Sequence, residues 1–126
     1  MRNNVYSMLG LAKKAGRLRS GGFLTEDAIR SRKAHLVILA GDAKDNTAGT
    51  IEDKCAYYHV RCCTYGTKKD LGAAIGTEER ACVAVTDPGL AEAIEKLLDE
   101  QTTGAESFAG QGIRKERGWN GKDENQ

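Results

Sequence analysis

The segment Ala34-His35-Leu36-Val37-Ile38-Leu39-Ala40, closed by Gly41-Asp42, constrains the fold more than any other. A short continuous apolar run with β-branched residues, ended by turn formers, has the pattern of a strand buried on both faces. Such a strand needs helices above and below it. Upstream, Val5, Met8, Leu9 and Ala12 fall at i, i+3, i+4 and i+7, with Asn3 or Asn4 as cap and Gly16 as stop, which predicts a helix from about Asn4 to Ala15. Leu18 between Arg17 and Arg19 reads as a very short strand. Ser20-Gly21-Gly22 then turns the chain into a second helix, Phe23 to Arg32, with Glu26 and Arg30 spaced to pair.

Downstream the alternation continues. Asp45 or Asn46 caps a helix to Tyr58 that carries Ala48, Ile51, Cys55 and Tyr58 on one face, and Val60 to Tyr65 follows as a strand. Thr67 and Asp70 have the spacing of a capping box ahead of a short helix, Leu71 to Ile75, stopped by Gly76. Ala81 to Val85 is the last strand, and Asp87-Pro88 starts a helix to about Glu100 with Leu90, Ile94, Leu97 and Leu98 as its apolar stripe. Four strands alternating with helices predict an α/β fold, a three-layer α/β/α sandwich around a central four-stranded mixed sheet over residues 1–100. Residues 101–126 hold five of the 15 glycines and only isolated Phe108, Ile113 and Trp119. They are expected to form a disordered, glycine-rich polar tail, because such a segment buries too little to offset its ordering entropy.

No apolar run approaches the roughly 20 residues needed to cross a bilayer. No secretory signal is readable after Met1-Arg2-Asn3-Asn4, so a cytoplasmic, membrane-free protein is expected. In that compartment Cys55, Cys62, Cys63 and Cys82 are expected as reduced thiols. Cys55, His59, Cys62 and Cys63 lack the paired spacing of a structural zinc site, and adjacent Cys62 and Cys63 would face opposite sides of a strand. No metal and no cofactor is expected.

Motifs for phosphate loops, dinucleotides, zinc proteases or a serine nucleophile elbow are missing. His35 and His59 have no nucleophile or acid placed beside them, and Glu78-Glu79 is an adjacent pair of undetermined separation, so no catalytic residue is assigned. The net charge of +1 conceals an uneven distribution. Residues 1–35 carry eight Lys and Arg against two acids, and residues 71–100 carry two against seven. Association with a polyanion responds to the local field, so the basic N-terminal third is a usable footprint. Its densest part is Lys13-Lys14-Ala15-Gly16-Arg17-Leu18-Arg19-Ser20-Gly21-Gly22-Phe23, four cations ahead of a glycine pair at a helix start. There the first N–H groups are unpaired and glycine lets a sugar-phosphate backbone approach. A tight turn would need the same glycines.

The order of motifs now becomes informative: Gly16-Arg17-Leu18-Arg19-Ser20-Gly21, Ala28-Ile29-Arg30, Ala34 to Ala43, and Thr67 to Gly76. Together they resemble the kink-turn RNA-binding ribosomal protein superfamily, over roughly residues 3–98. Asp42-Ala43-x-x-Asn46-Thr47, Asp53-Lys54-Cys55-x-Tyr57-Tyr58 and Val83 to Asp87 are most similar to its bacterial branch, the YlxQ-type proteins. The resemblance implies a non-enzymatic protein that grips structured, kink-turn-like RNA, ribosomal or messenger, as a monomer associated with the ribosome or with translation factors. The family's contact surface falls here on Arg17, Arg19, Gly21, Gly22, Phe23, Leu24 and Asp27, and on Thr77, Glu78, Glu79, Arg80 and Ala81.

Family members that bind kink-turns tightly carry Asn or Lys, Glu or Gln, and Lys where this chain has Phe23, Leu24 and Asp27. Aspartate in place of lysine repels phosphate, and the lost amide or carboxylate removes base-edge hydrogen bonds. The positive charge is therefore expected to have moved outward, to Lys13, Lys14, Arg17, Arg19, Arg30 and Arg80. Phe23 is expected in the core, following the general preference of its type, with exposed stacking on a base as the alternative. The competing reading is a protein-interaction module of the translation or transcription machinery that has lost kink-turn specificity.

Overall fold

The computed structural model describes residues 4–105. Its elements are α1 (Asn4–Lys14), β1 (Leu18–Ser20), α2 (Gly22–Arg30), β2 (Leu36–Leu39), α3 (Asp45–Tyr58), β3 (Cys62–Thr64), α4 (Lys68–Ala74), β4 (Cys82–Val85) and α5 (Pro88–Ala105). Two compact units are distinguishable, residues 1–94 and 95–126, and the whole sheet lies in the first.

The sheet order is β1-β4-β2-β3. β4 runs antiparallel to both of its neighbours while β2 and β3 are parallel, so the sheet is mixed, as the sequence predicts. β2 and β4 are the interior strands, and all eight of their residues are buried. Because side chains alternate across a strand, the register splits them into two sets. Val37, Leu39, Cys82 and Ala84 share one face with Ala28 and Ile29 of α2 and Ile51 and Cys55 of α3. Leu36, Ile38, Val83 and Val85 take the opposite face. Val5, Leu9 and Ala12 of α1 and Leu71 of α4 are buried, and these two helices pack together there. The result is the expected α/β/α sandwich.

Local chemistry fixes the element ends. The Thr67 hydroxyl accepts a hydrogen bond from the Asp70 N–H at 3.1 Å, completing half of the expected capping box, and Asp42 Oδ1 accepts from the Lys68 N–H at 2.8 Å. Asp87 Oδ2 accepts from the Leu90 N–H at 2.9 Å, so Asp87 and Pro88 start α5 as their sequence predicts. One cap differs from expectation. α3 begins at Asp45 with Lys44 at the N-cap and no side-chain cap bond, which leaves Asp45 as a first-turn charge favourable to the helix dipole. α5 continues to Ala105, past the expected end at Glu100. The rest of the expected tail, residues 106–126, lies outside the described residues.

Candidate nucleic-acid interface

The candidate site is built around the turn from β1 into α2. Gly21 has φ 88° and ψ 160°, a left-handed backbone that an L side chain rarely adopts, and it caps α2 without a side-chain bond. Its own N–H donates to the Cys82 carbonyl at 2.9 Å, which anchors the turn to β4. The first N–H groups of α2 are thus presented at an exposed position, Gly22, where a Cβ would meet nothing within 4 Å.

The loop between α4 and β4 comes to the same place. Arg80 Nε donates to Ser20 Oγ at 3.2 Å, and Arg80 Nη1 donates to the Glu79 carbonyl at 2.9 Å. Its Cδ would lie 4.0 Å from a Cβ on Gly21. Two stretches of chain sixty residues apart are therefore joined through one guanidinium. Arg80 is only half-buried and has no carboxylate partner among the described residues, so its charge is not neutralised locally.

The loop is itself held from behind. The Thr77 N–H donates to the Gly72 carbonyl at 2.9 Å, and the Arg80 N–H donates to the Lys68 carbonyl at 3.1 Å. Gly72 is buried in α4, and a Cβ there would overlap the Glu78 carbonyl oxygen and lie 2.6 Å from its carbon. Helix and loop touch backbone to backbone, so the position excludes any side chain. Gly72, Ser20 and Asp42 were not singled out by sequence reasoning as parts of the site. For Gly72 a signal existed, since an isolated glycine within a helical pattern usually has a packing reason.

Phe23 departs from expectation. It is not in the core but 76% exposed, beside Leu24 at 45%, and the residues α2 buries instead are Thr25, Ala28 and Ile29. The helical period explains it. Thr25, Ala28 and Ile29 fall at i, i+3 and i+4, which leaves Phe23 and Leu24 exposed on the first turn and Asp27 exposed on the second. An exposed aromatic ring at an accessible helix start, with a guanidinium that no carboxylate neutralises held to the same turn, is an arrangement able to stack on a base while the N–H groups and the cation hold phosphate.

The remaining expected cations are spread out. Arg19 is exposed on β1, with Nη1 bonded to the Leu18 carbonyl at 3.3 Å. Arg17 lies exposed just ahead of β1, about 13 Å from Gly21 at 3.3 Å per residue, and Lys13 and Lys14 lie exposed on the last turn of α1. Arg30 sits at the other end of α2, about 12 Å along the axis from Gly22. There it faces Glu26 and Asp27, both at 3.7 Å, so its charge is partly offset. Glu78 and Glu79 are exposed, and Thr77 and Ala81 half-buried, in the α4–β4 loop.

Of the thiols, Cys82 lies at the start of β4 beside the Gly21 turn, Cys62 and Cys63 lie on β3, and Cys55 lies on α3. Cys55, Cys62, Cys63 and Cys82 are all free. A hydrogen bond with Cys55, together with burial, pushes the Cys62 thiol well above its ordinary value, and burial also raises Cys82. Among the described residues no three His, Cys, Asp or Glu side chains are grouped to hold a metal ion, and no helix is long and apolar enough to cross a membrane.

A sheet of this order, with its β1–α2 turn and α4–β4 loop converging, belongs to a known class. Residues 3–95 match the model of the ribosomal protein L7Ae/L30e/S12e/Gadd45 family, and the chain is a member of that family. It is 44% identical over 94 residues to the RNA-binding protein YlxQ of Bacillus subtilis (strain 168), covering 75% of this chain and 94% of that one. With the RNA-binding protein YlxQ of Enterococcus faecium it shares 34% over 98 residues, or 78% and 94% of the two chains. A solved structure of a protein with unknown function from Bacillus halodurans C superposes with a TM-score of 0.75 at 34% identity, over 78% of this chain and 99% of that one. These relatives place the chain in the bacterial YlxQ-type branch.

Proposed function

We propose that the protein binds structured RNA without catalysis, as a monomer in the cytoplasm, and serves the translation apparatus on ribosomal or messenger RNA or with translation factors. The observation that carries this reading is the joining of the β1–α2 turn to the α4–β4 loop by the Arg80–Ser20 bond at 3.2 Å, with Phe23 exposed on the first turn of α2 that follows. Family membership and the RNA-binding relatives support it.

In this reading the helix start at Gly21 and Gly22 and the guanidinium of Arg80 hold the phosphates at the kink. Phe23 and Leu24 supply an apolar face for an unstacked base, in place of the polar contacts that tight kink-turn binders use. Arg17, Arg19, Lys13 and Lys14 extend the positive surface along the flanking strand, whereas Arg30, facing two carboxylates, contributes less. Asp27, exposed on the first turns of α2, repels phosphate and limits affinity.

The test is a titration against a kink-turn RNA and an unkinked duplex of equal length at several salt concentrations. If Lys13, Lys14, Arg17, Arg19 and Arg80 each meet one phosphate, the log–log salt slope is about −3.5 to −4.5. Kink-selective binding supports the full reading, and equal, salt-steep binding reduces it to a general phosphate surface. Absence of binding to both overturns it, and favours a protein partner for the exposed Phe23–Leu24 pair.

A further inference from the structure

The other end of the α2–α3 layer carries a second group of aromatic and cationic side chains. The Arg32 guanidinium lies 5.2 Å from the centroid of the Tyr58 ring. Tyr58 in turn meets Tyr57 edge to face, with centroids 4.8 Å apart and planes at 77°. Tyr57 is 75% exposed. Beside them Thr50, Asp53, Lys54, Tyr57 and Tyr58 line an open cleft of about 520 Å³. Arg32, Lys33 and Lys54 make no ion pair among the described residues, although Asp53 lies in the same cleft.

Backbone geometry singles out the same place. Arg32 (φ 63°) and His59 (φ 61°) are the two positive-φ residues other than glycine among the described residues. Each follows a helix, and each turn is closed in the same way. The Lys33 N–H donates to the Ala28 carbonyl at 2.9 Å after α2, and the Val60 N–H donates to the Cys55 carbonyl at 2.8 Å after α3. Glycine is the residue that suits such positions, and a bulky side chain there is strained. At Arg32 the strained residue is the one that covers Tyr58. Strain of this kind clusters where a side chain is needed in a fixed place.

We propose that Arg32, Tyr58 and Tyr57 form a second RNA contact, a platform on which an unpaired base of single-stranded RNA stacks against Tyr57. Lys33 and Lys54 meet the adjoining phosphates, and the Asp53 carboxylate and Thr50 hydroxyl accept from a base amino group. The inference rests on the proposed RNA-binding reading, because the strand is the one that flanks the structured element held at the β1–α2 turn. Charge argues for RNA over a protein partner: Arg32 lies over the Tyr58 ring with Lys33 next to it in the chain, and Lys54 shares the cleft with the exposed Tyr57, against the single carboxylate of Asp53 there. The length of α2 separates the two contacts by about 12 Å, a span that three or four stacked nucleotides cover at 3.4 Å each.

The experiment compares three RNAs: a blunt structured element, the same element with a single-stranded extension of adenines or of uridines, and the extension alone followed by chemical shifts of the tyrosine rings. The adenine extension is expected to tighten binding over the blunt RNA. Tyr57→Ala should cost roughly 5- to 150-fold on the extended RNA, the worth of one base–aromatic stack, and nothing on the blunt one. Tyr57→Phe should retain the gain. Arg32→Gly relieves the backbone, so it should melt no lower than wild type and yet lose affinity for the extended RNA, a combination that a purely structural role for Arg32 does not give. The adenine preference over uridine should narrow in Asp53→Ala, which removes the carboxylate acceptor. Equal affinity of the Tyr57→Ala variant and wild type for the extended RNA overturns the proposal. If the blunt RNA does not bind, the β1–α2 reading fails separately, and unperturbed Tyr57 shifts with the isolated strand then overturn this one.

Discussion

Replacing Gly72 by alanine probes the link between packing and the site with one methyl group. The new Cβ would overlap the Glu78 carbonyl oxygen and lie 2.6 Å from its carbon and 3.0 Å from Glu79 Cα. These are backbone atoms, so no side-chain rotation relieves the contact, and either α4 or the loop must shift. Overpacking of this kind costs about 1–3 kcal/mol. Each kcal/mol lowers Tm by roughly 4–8 °C in a domain of about 100 residues. The same shift moves Arg80, whose N–H bonds to Lys68 and whose guanidinium bonds to Ser20, away from the turn at Gly21. RNA affinity should fall with stability, and the salt slope should shrink by about one phosphate contact. Thermal unfolding and salt-dependent RNA titration measure both. Gly49→Ala is the control, because a Cβ there meets nothing within 4 Å, and it should stabilise α3 by about 0.5–1 kcal/mol. A Gly72→Ala protein with wild-type Tm and wild-type RNA affinity would refute the reasoning.

Three further outcomes follow from the site and the core. Phe23→Ala removes a ring that is 76% exposed, so it should leave Tm within about 4 °C while weakening structured RNA by roughly 5- to 150-fold, as filter binding would show. Asp27→Lys converts repulsion into attraction on the first turns of α2 and gives up only an exposed pair with Arg30 at 3.7 Å. RNA affinity should rise, most at low salt, and stability should change little. The Cys62 thiol is raised in the folded state, so the folded chain holds its proton at a pH where the unfolded chain has lost it. That contribution is complete below the ordinary thiol value of 9.0 and is lost as pH rises above it. Urea midpoints should therefore drop between pH 8 and pH 10, and by less in Cys62→Ala.

Those parts of the fold that depend on neighbours in sequence were legible. The run Ala34 to Ala40 announced β2, and Thr67 with Asp70 and Asp87 with Pro88 announced the starts of α4 and α5, because caps and buried strands act within a few residues. Residue type alone sends Phe23 to the core, and the structure leaves it exposed. The face of α2 is set by Thr25, Ala28 and Ile29 against the sheet, and only the position of the first turn decides that Phe23 falls outside it. The meeting of Ser20 with Arg80 was illegible for another reason. It depends on β1 lying next to β4, a pairing between segments sixty residues apart that no local pattern specifies.

In the proposed RNA-binding reading, that pairing also accounts for how a chain with a net charge of +1 gathers cations at one turn. The segment 71–100 is acidic in sum, and one of its two cations is Arg80. Antiparallel pairing of β1 with β4, from Leu18 opposite Val85 to Ser20 opposite Val83, brings the start of β4 beside the end of β1. Arg80 is thereby withdrawn from its acidic segment and added to the basic one, while Glu78 and Glu79 lend it only a carbonyl acceptor each, at 3.5 and 2.9 Å. On α2 the opposite happens, since Arg30 faces Glu26 and Asp27 and its field is offset. Which cations come together unpaired is therefore set by strand order and helix pitch more than by composition. Arg80→Gln should accordingly cost more RNA affinity than Arg30→Gln, although both remove one charge. Equal losses in the two variants, measured at one salt concentration, would show that RNA responds to net charge and not to the converged loop.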